Sequence, residues 1–227
     1  MGNLGKLCIP VVETTVGKAL MAIKKAGQVA DLVEIRADYL RTVSLAPLLD
    51  GRHKPIIITN RRGEEGGQYK GEERKRLAVL QEAIDLEADY IDVELATERS
   101  FLRSLIRNKG GTQVVLSFHD FDRTPSLKEL QRLFDQMTRL GADVIKVVPF
   151  ARSWEDNLSV LSLIPFAKKR RRKIVAFCMG EKGKTSRIFS PFLGGAWTYA
   201  SLRRGKASAP GQMTVGEMKE IWKVLKL

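Results

Sequence analysis

Short apolar runs rich in β-branched residues recur eight times along this chain, each separated from the next by a stretch of helical periodicity. They fall at 7–12, 32–36, 55–60, 90–95, 113–118, 144–148, 174–179 and 198–202. Successive starts lie roughly 22 to 35 residues apart, enough for a crossover helix each time. Several runs are apolar at every position, as strands covered on both faces must be. No linker-like segment interrupts the 227 residues, and 44% of them are hydrophobic, enough for a substantial core. Eight alternating units over this length predict a single (β/α)8 TIM barrel spanning 1–227. A doubly wound open sheet is the structural alternative.

The intervening segments carry helix signals. Thr124-Pro125 offers an N-cap followed by proline in the first turn, with Leu127, Leu130, Phe134, Met137 and Leu140 on one face and Gly141 at the end. Thr214 and Glu217 are spaced as a capping box. Leu77, Leu80 and Ile84 make a similar stripe after the third run.

Barrel chemistry gathers where strands end. The run ends here carry Glu34, Arg36, Arg61, Asp92, Glu94, His119, Asp120, Lys146 and Met179, and the run starts show no comparable set. Lys146 lies inside an apolar run. Desolvation disfavours an ammonium, so a buried lysine without a partner tends towards the neutral, nucleophilic amine. The competing reading is a lysine that reaches water or pairs with a carboxylate. His119, one run away, belongs to the residue type best suited to moving protons near neutrality. In the glycine-rich loop after the third run, Arg61 is placed to bind a substrate oxygen and Glu65 to orient His119. Arg187 reads as an anion binder. Ser208 and Gln212 are the hydrogen-bonding side chains of a small-residue loop able to close over a substrate. Gly194-Gly195 is a weak phosphate-site candidate. Gly183-Lys184-Thr185 fails the phosphate-loop pattern, because Cys178 stands where the first glycine is required.

The formal charge is +13 and the isoelectric point is near 9.9, compatible with nucleic acid, an acidic surface or a small anionic substrate. The densest basic run, 168–173, precedes a strand and so belongs to the rim opposite the strand ends, and no aromatic interleaving supports base stacking. Nucleic acid is therefore not expected as a partner. Cys8 and Cys178 sit in predicted strands without metal-ligand spacing and read as reduced core residues of a cytoplasmic protein. No metal, membrane span, secretory leader or myristoylation signal is expected.

Six motifs in order then carry a resemblance. They are Glu34-x-Arg36-x-Asp38, Thr59-x-Arg61 with Glu65-Gly66-Gly67, and Ser117-Phe118-His119-Asp120. Lys146 follows, 27 residues beyond His119, then Met179-Gly180 with Ser186-Arg187 and finally 208–212, Ser-Ala-Pro-Gly-Gln. The chain resembles the type I 3-dehydroquinate dehydratases, Schiff-base enzymes of the shikimate pathway, from the first strand to the last helix. The resemblance implies a cofactor-free syn elimination of water from 3-dehydroquinate. Lys146 would form an imine with the substrate ketone. His119 would take the C2 proton and return it to the departing C1 hydroxyl, supported by Glu65. Arg187 would clamp the carboxylate, and Glu34, Arg36, Arg61, Ser208 and Gln212 would hold hydroxyl and carbonyl groups. Met179 and Tyr199 would line the pocket. A homodimer is also implied. Asn60 departs from the family, which usually has an apolar or aromatic residue there, as do Val148 and Pro149 after the lysine. The alternatives are a lysine-dependent aldolase acting on sugar phosphates, and a nucleic-acid binder using the basic charge.

Overall fold

A computed structural model, described over residues 5–226, contains eight strands. They are β1 (Leu7–Val11), β2 (Leu32–Arg36), β3 (Ile56–Thr59), β4 (Tyr90–Glu94), β5 (Gln113–Asp120), β6 (Val144–Pro149), β7 (Lys173–Ala176) and β8 (Thr198–Tyr199). The expectations about the N-terminus rest largely on residues 1–4, which lie outside the described residues.

Every ladder is parallel, and the order is β7-β6-β5-β4-β3-β2-β1-β8. Sequence neighbours are spatial neighbours throughout, and the last strand returns to the first. An open doubly wound sheet would reverse its order partway, so that alternative is excluded. The Ala196 N–H donates to the Ile174 carbonyl at 2.7 Å, joining the approach to β8 with β7 across the remaining seam. The result is a nearly closed TIM barrel.

Period-two alternation divides each strand between two environments. Ile9, Val33, Ile35, Ile58, Val93, Leu116, Ile145, Val147 and Ile174 pack outward against the helices in the main core. Cys8, Leu32, Ile57, Val115, Val144 and Val175 cluster with Trp197 and Tyr199 in the barrel interior. Continuing on the interior parity towards the strand ends gives Glu34 and Arg36, Thr59 and Arg61, Asp92 and Glu94, Ser117 and His119, then Lys146 and Val148. The same alternation that fills the lower barrel with apolar side chains thus delivers a charged layer above it.

The helices include α1 (Val16–Gly27), α2 (Ala46–Leu49), α3 (Glu73–Asp85), α4 (Arg99–Arg107), α5 (Leu127–Leu140), α6 (Asp156–Leu161), α7 (Leu163–Lys169), α8 (Lys184–Phe189) and α9 (Val215–Val224). On α3 the expected stripe, Leu77, Leu80 and Ile84, is buried, and Thr214 and Glu217 form a reciprocal capping box on α9. The cap of α5 differs from expectation. Ser126 and Glu129 form its capping box, while the Thr124 hydroxyl donates to the Phe150 carbonyl at 2.9 Å. The seventh run also differs, because the ladder stops at Ala176. The Cys178 N–H is taken by Ser186 Oγ at 2.8 Å, while Phe177 and Met179 still donate to the Val147 and Pro149 carbonyls at 3.4 and 2.7 Å, with an isolated bridge between Phe150 and Met179.

The basic run 168–173 is exposed, between α7 and the start of β7, on the rim away from the strand ends. Gly194 and Gly195 form no phosphate cradle. They turn the chain after α8 ahead of the β7–β8 seam, with the Gly195 N–H on the Ser190 carbonyl at 2.9 Å. No helix among the described residues is long and apolar enough to cross a membrane.

Because the cap of α5 is Ser126, Ser126→Ala should cost about 1 kcal/mol in denaturant unfolding. Thr124→Ala should cost less, since it leaves the capping box intact, and the reverse order of the two costs would refute this placement.

Candidate active site

The strand ends enclose a polar cavity of about 450 Å³ of empty space, part of it open to solvent. Its lining includes every candidate side chain to which the sequence assigns a catalytic or substrate-binding role. These are Glu34, Arg36, Arg61, Glu65, His119, Lys146, Met179, Arg187, Tyr199, Ser208 and Gln212, together with Gly66, Phe121, Val148, Phe177 and Ala209. Asp120 lies at the same rim but braces the loop beyond it, its carboxylate accepting from the backbone N–H groups of Asp122 and Arg123 at 2.9 and 3.0 Å.

Lys146 does not stand alone. Its Nζ lies 2.7 Å from Asp92 Oδ2, 3.7 Å from Glu34 Oε1 and 3.3 Å from the Tyr199 hydroxyl, with the Tyr199 ring centroid at 4.6 Å. Of the two readings of Lys146, pairing with carboxylates is the one the barrel adopts, with acceptors from β2 and β4. Those acceptors are themselves tied. Arg61 reaches Asp92 Oδ1 at 2.8 Å and Glu94 Oε1 at 2.9 Å, and Ser117 Oγ bridges Arg61 and Asp92 at 2.7 Å to each. Burial opposes the charge on Asp92, but Arg61 and Lys146 outweigh it and hold the carboxyl well below the usual range. The Thr59 hydroxyl donates to Glu34 Oε1 at 2.8 Å, fixing that carboxylate beside the amine.

His119 is held from below and from the side. Its backbone N–H donates to Glu65 Oε2 at 3.0 Å, and its Nδ1 lies 2.9 Å from the same oxygen. Burial, reinforced by the cations Arg61 and Lys146, holds the imidazole well below its ordinary 6.5. The ring is thus neutral near pH 7, and where Glu65 is ionised Nδ1–H donates to it and Nε2 is the acceptor. Burial likewise pushes the Glu65 carboxyl up to about 7, against the opposing pull of Arg61. The Glu65 loop is sharply turned. A Cβ on Gly67 would fall 1.9 Å from the Arg61 carbonyl oxygen, so only glycine lets the two stretches of backbone approach.

Arg187 occupies the opposite wall. It is 1% exposed and has no carboxylate partner among the described residues. Burial without a counter-ion pulls its guanidinium down to about 10. It lies over the Phe177 ring at 4.5 Å and donates once, to the Pro210 carbonyl at 3.2 Å, while its Nε is buried without an acceptor. An unpaired buried cation is costly, and an entering anion relieves that cost. The loop bearing Ser208 and Gln212 closes this side. Gln212 Oε1 accepts from the Ser208 N–H at 2.7 Å, leaving Gln212 Nε2 as a second buried donor without a partner. Gly211, at φ +74°, packs so tightly that a Cβ would lie 2.1 Å from the Gly180 carbonyl oxygen.

Known proteins resemble this chain along its length. The family model described as type I 3-dehydroquinase matches residues 7–227. The chain belongs to that family. A 3-dehydroquinate dehydratase of Methanocaldococcus jannaschii is 38% identical over 97% of this chain and 99% of its own length. The 3-dehydroquinate dehydratase structure from Geobacillus kaustophilus superposes with a TM-score of 0.85 at 28% identity, covering 99% of this chain and 92% of that one. A type I 3-dehydroquinate dehydratase from Clostridium difficile reaches a TM-score of 0.88 over 97% of this chain and 92% of that one. At 24% identity it speaks for the fold alone.

Beyond the residues that mark the type I 3-dehydroquinase family, the site uses side chains whose roles sequence reasoning leaves unassigned. Asp92 and Glu94 are visible as run-end acids, but their ties to Lys146 and Arg61 require the barrel to close. Phe177 is the face on which Arg187 lies, and its inward parity on the seventh run is the available signal. Phe121 covers Gly66, with ring carbons inside the space a Cβ there would need, a contact no sequence spacing announces. Among the described residues no group of three or more His, Cys, Asp or Glu side chains could hold a metal.

The raised Glu65 value gives a signed expectation. Between about pH 4.5 and 7 the unfolded carboxyl ionises while the folded one keeps its proton, so the folded state is progressively penalised as pH rises. Glu65→Gln removes that penalty. Relative to the native chain it should gain stability between pH 4.5 and pH 8, on the order of 3 kcal/mol, seen as a growing difference in Tm. A constant difference across that range would contradict the assignment.

Proposed function

We propose that this chain converts 3-dehydroquinate to 3-dehydroshikimate and water through an imine on Lys146, the third step of the shikimate pathway. One observation carries the reading: the amine of Lys146, the neutral imidazole of His119 and the counter-ion-free Arg187 line a single cavity. The proposed substrate is a keto acid that must be held by its carboxylate, attacked at its ketone and deprotonated beside it. The chain offers one group for each demand.

The reaction begins when the ammonium of Lys146 passes a proton to a neighbouring acceptor and the free amine adds to the ketone carbon. Loss of water from the adduct gives a protonated imine. His119 removes the C2 proton, and the C–H electron pair moves towards the imine nitrogen, giving an enamine in place of an enolate. The imidazolium then returns its proton to the C1 hydroxyl. As the enamine pair moves back, the C1–O bond breaks, water leaves and C1=C2 forms. Hydrolysis of the conjugated imine consumes the water released when the imine formed and frees Lys146, so the net change is loss of one water. Glu65 holds the imidazole through Nδ1. Arg36, paired with Asp38 at 2.7 and 2.8 Å, and Arg61 present fixed donors to substrate hydroxyl and carbonyl groups. Gln212 and Ser208 close over it, and Met179 and Tyr199 complete the walls. No step needs a cofactor or metal.

A sugar-phosphate aldolase would share the lysine. The anion side of this cavity offers one buried guanidinium, whereas phosphate is normally met by backbone N–H groups of a glycine-rich cradle. Two buried, free cysteines accord with a reducing, cytoplasmic location. The proposed homodimer rests on family membership, and the site is assembled from residues of one chain.

Absorbance of the conjugated enone should rise when 3-dehydroquinate is added. Borohydride in the presence of substrate should leave a reduced adduct on Lys146, readable by mass spectrometry. Lys146→Ala should lose the adduct and several orders of magnitude in kcat, while Arg187→Met should chiefly raise KM. Turnover with Lys146 unmodified and borohydride without effect would sink the imine route.

A further inference from the structure

The charged layer of the barrel does not end at the cavity wall. Glu94 faces Arg61 with Oε1 and Arg76 with Oε2, the latter at 2.7 Å. Arg76 belongs to α3, is 0% exposed and does not line the active-site cavity. Its Nη1 also donates to the Asn60 carbonyl at 2.8 Å, and its Nη2 to Thr97 Oγ1 at 3.2 Å. Its Nε and Nη2 grip Glu73 at 2.7 and 2.8 Å, and Glu73 reaches the outer surface of α3. Asn60, out of keeping with the family, returns the contact by donating Nδ2 to the Arg76 carbonyl at 3.1 Å. A single file of alternating charge therefore runs from the surface inward: Glu73, Arg76, Glu94, Arg61, Asp92, Lys146.

We propose that Arg76 is a positioning residue that acts on the reactive amine of Lys146 through Glu94, Arg61 and Asp92. Glu94 is completely buried, and Arg76 neutralises the half of its carboxylate that Arg61 does not reach. Without Arg76 that unbalanced charge draws Arg61 outward, slackens its hold on Asp92 and leaves Asp92 free to bind the Lys146 ammonium more strongly. The amine then gives up its proton less readily. The other groups facing Lys146 are Glu34 from β2, His119 from β5, Tyr199 from β8 and Cys8 from β1, and none of them touches Arg76.

The inference rests on the reading of Lys146 as the imine-forming residue, and its test uses a probe that needs no dehydroquinate. Formaldehyde with cyanoborohydride methylates free amines, and mass spectrometry of the whole folded chain reads the labelling rate of Lys146 at one fixed, neutral pH. Arg76→Met should slow that labelling roughly tenfold. Arg76→Lys, which keeps the charge, should restore most of the rate. Glu73→Gln, on the outer face, should instead speed it roughly twofold. A merely structural role would lower Tm in both variants without opposite changes in rate. A folded Arg76→Met with an unchanged or raised rate overturns the proposal. If Arg76→Met does not fold, Glu73→Gln decides alone, and an unchanged or lowered rate overturns it. Rate changes as expected beside no dehydroquinate adduct would reject the proposed substrate and retain the role of Arg76.

Discussion

Charge hidden inside a barrel is tolerable only when it is paired, and the pairing here is nearly complete. Lys146 leans on Asp92 and Glu34, Asp92 on Arg61, Arg61 on Glu94, and Glu94 on Arg76. No member can be removed without leaving a buried partner uncompensated. The layer is therefore a geometric constraint as much as a set of attractions: it fixes β2, β3, β4 and β6 relative to one another at the level where chemistry is proposed. Two departures from full compensation stand out. Arg187 lacks an anion, and Gln212 Nε2 lacks an acceptor. Both residues line the cavity, so two unmatched donors belong to the wall a small acid would meet.

The electrostatics also sort the titratable groups into different duties. His119 is disfavoured as a cation by burial and by the same arginine and lysine that hold Asp92 ionised. One region of positive potential thus keeps a base neutral and an acid charged within the same site. Glu65, compensated less completely, retains its proton to higher pH and shares the imidazole side of the site. Environment, not residue type, separates the three roles.

Much of this is legible in the chain because barrels encode position twice, by strand order and by parity. Run ends place Glu34, Arg61, His119 and Lys146 at one rim, and alternation places them on one face. What stays hidden has specific causes. The partners of Lys146 stay unnamed in sequence because its carboxylates, Asp92 and Glu34, are remote along the chain and meet it only after closure. The cap of α5 is misplaced in sequence because Thr124-Pro125 satisfies the local pattern, whereas in the fold the Phe150 carbonyl claims the Thr124 hydroxyl and Ser126 caps the helix. The seventh strand reads too long because Cys178 is apolar enough to continue it, while Ser186 from the next helix captures its amide. Arg76 gives no sign of itself, since nothing in its basic neighbourhood signals that it points into the protein.

The eighth stave is the thinnest. Only Thr198 and Tyr199 form its ladder with β1, and a lone amide of Ala196 ties it to β7, whereas β5 and β6 share six residue pairs. The segment carrying Ser208 and Gln212 springs from this stave and is pinned by the Pro210 carbonyl, which Arg187 and the Gly180 N–H share. Lifting that flap breaks these two links and the ion pair of Lys206 with Glu13 but no sheet, so the vessel can be uncorked without loosening its hoops. An acid that competes for Arg187 would also be pulling at the stopper.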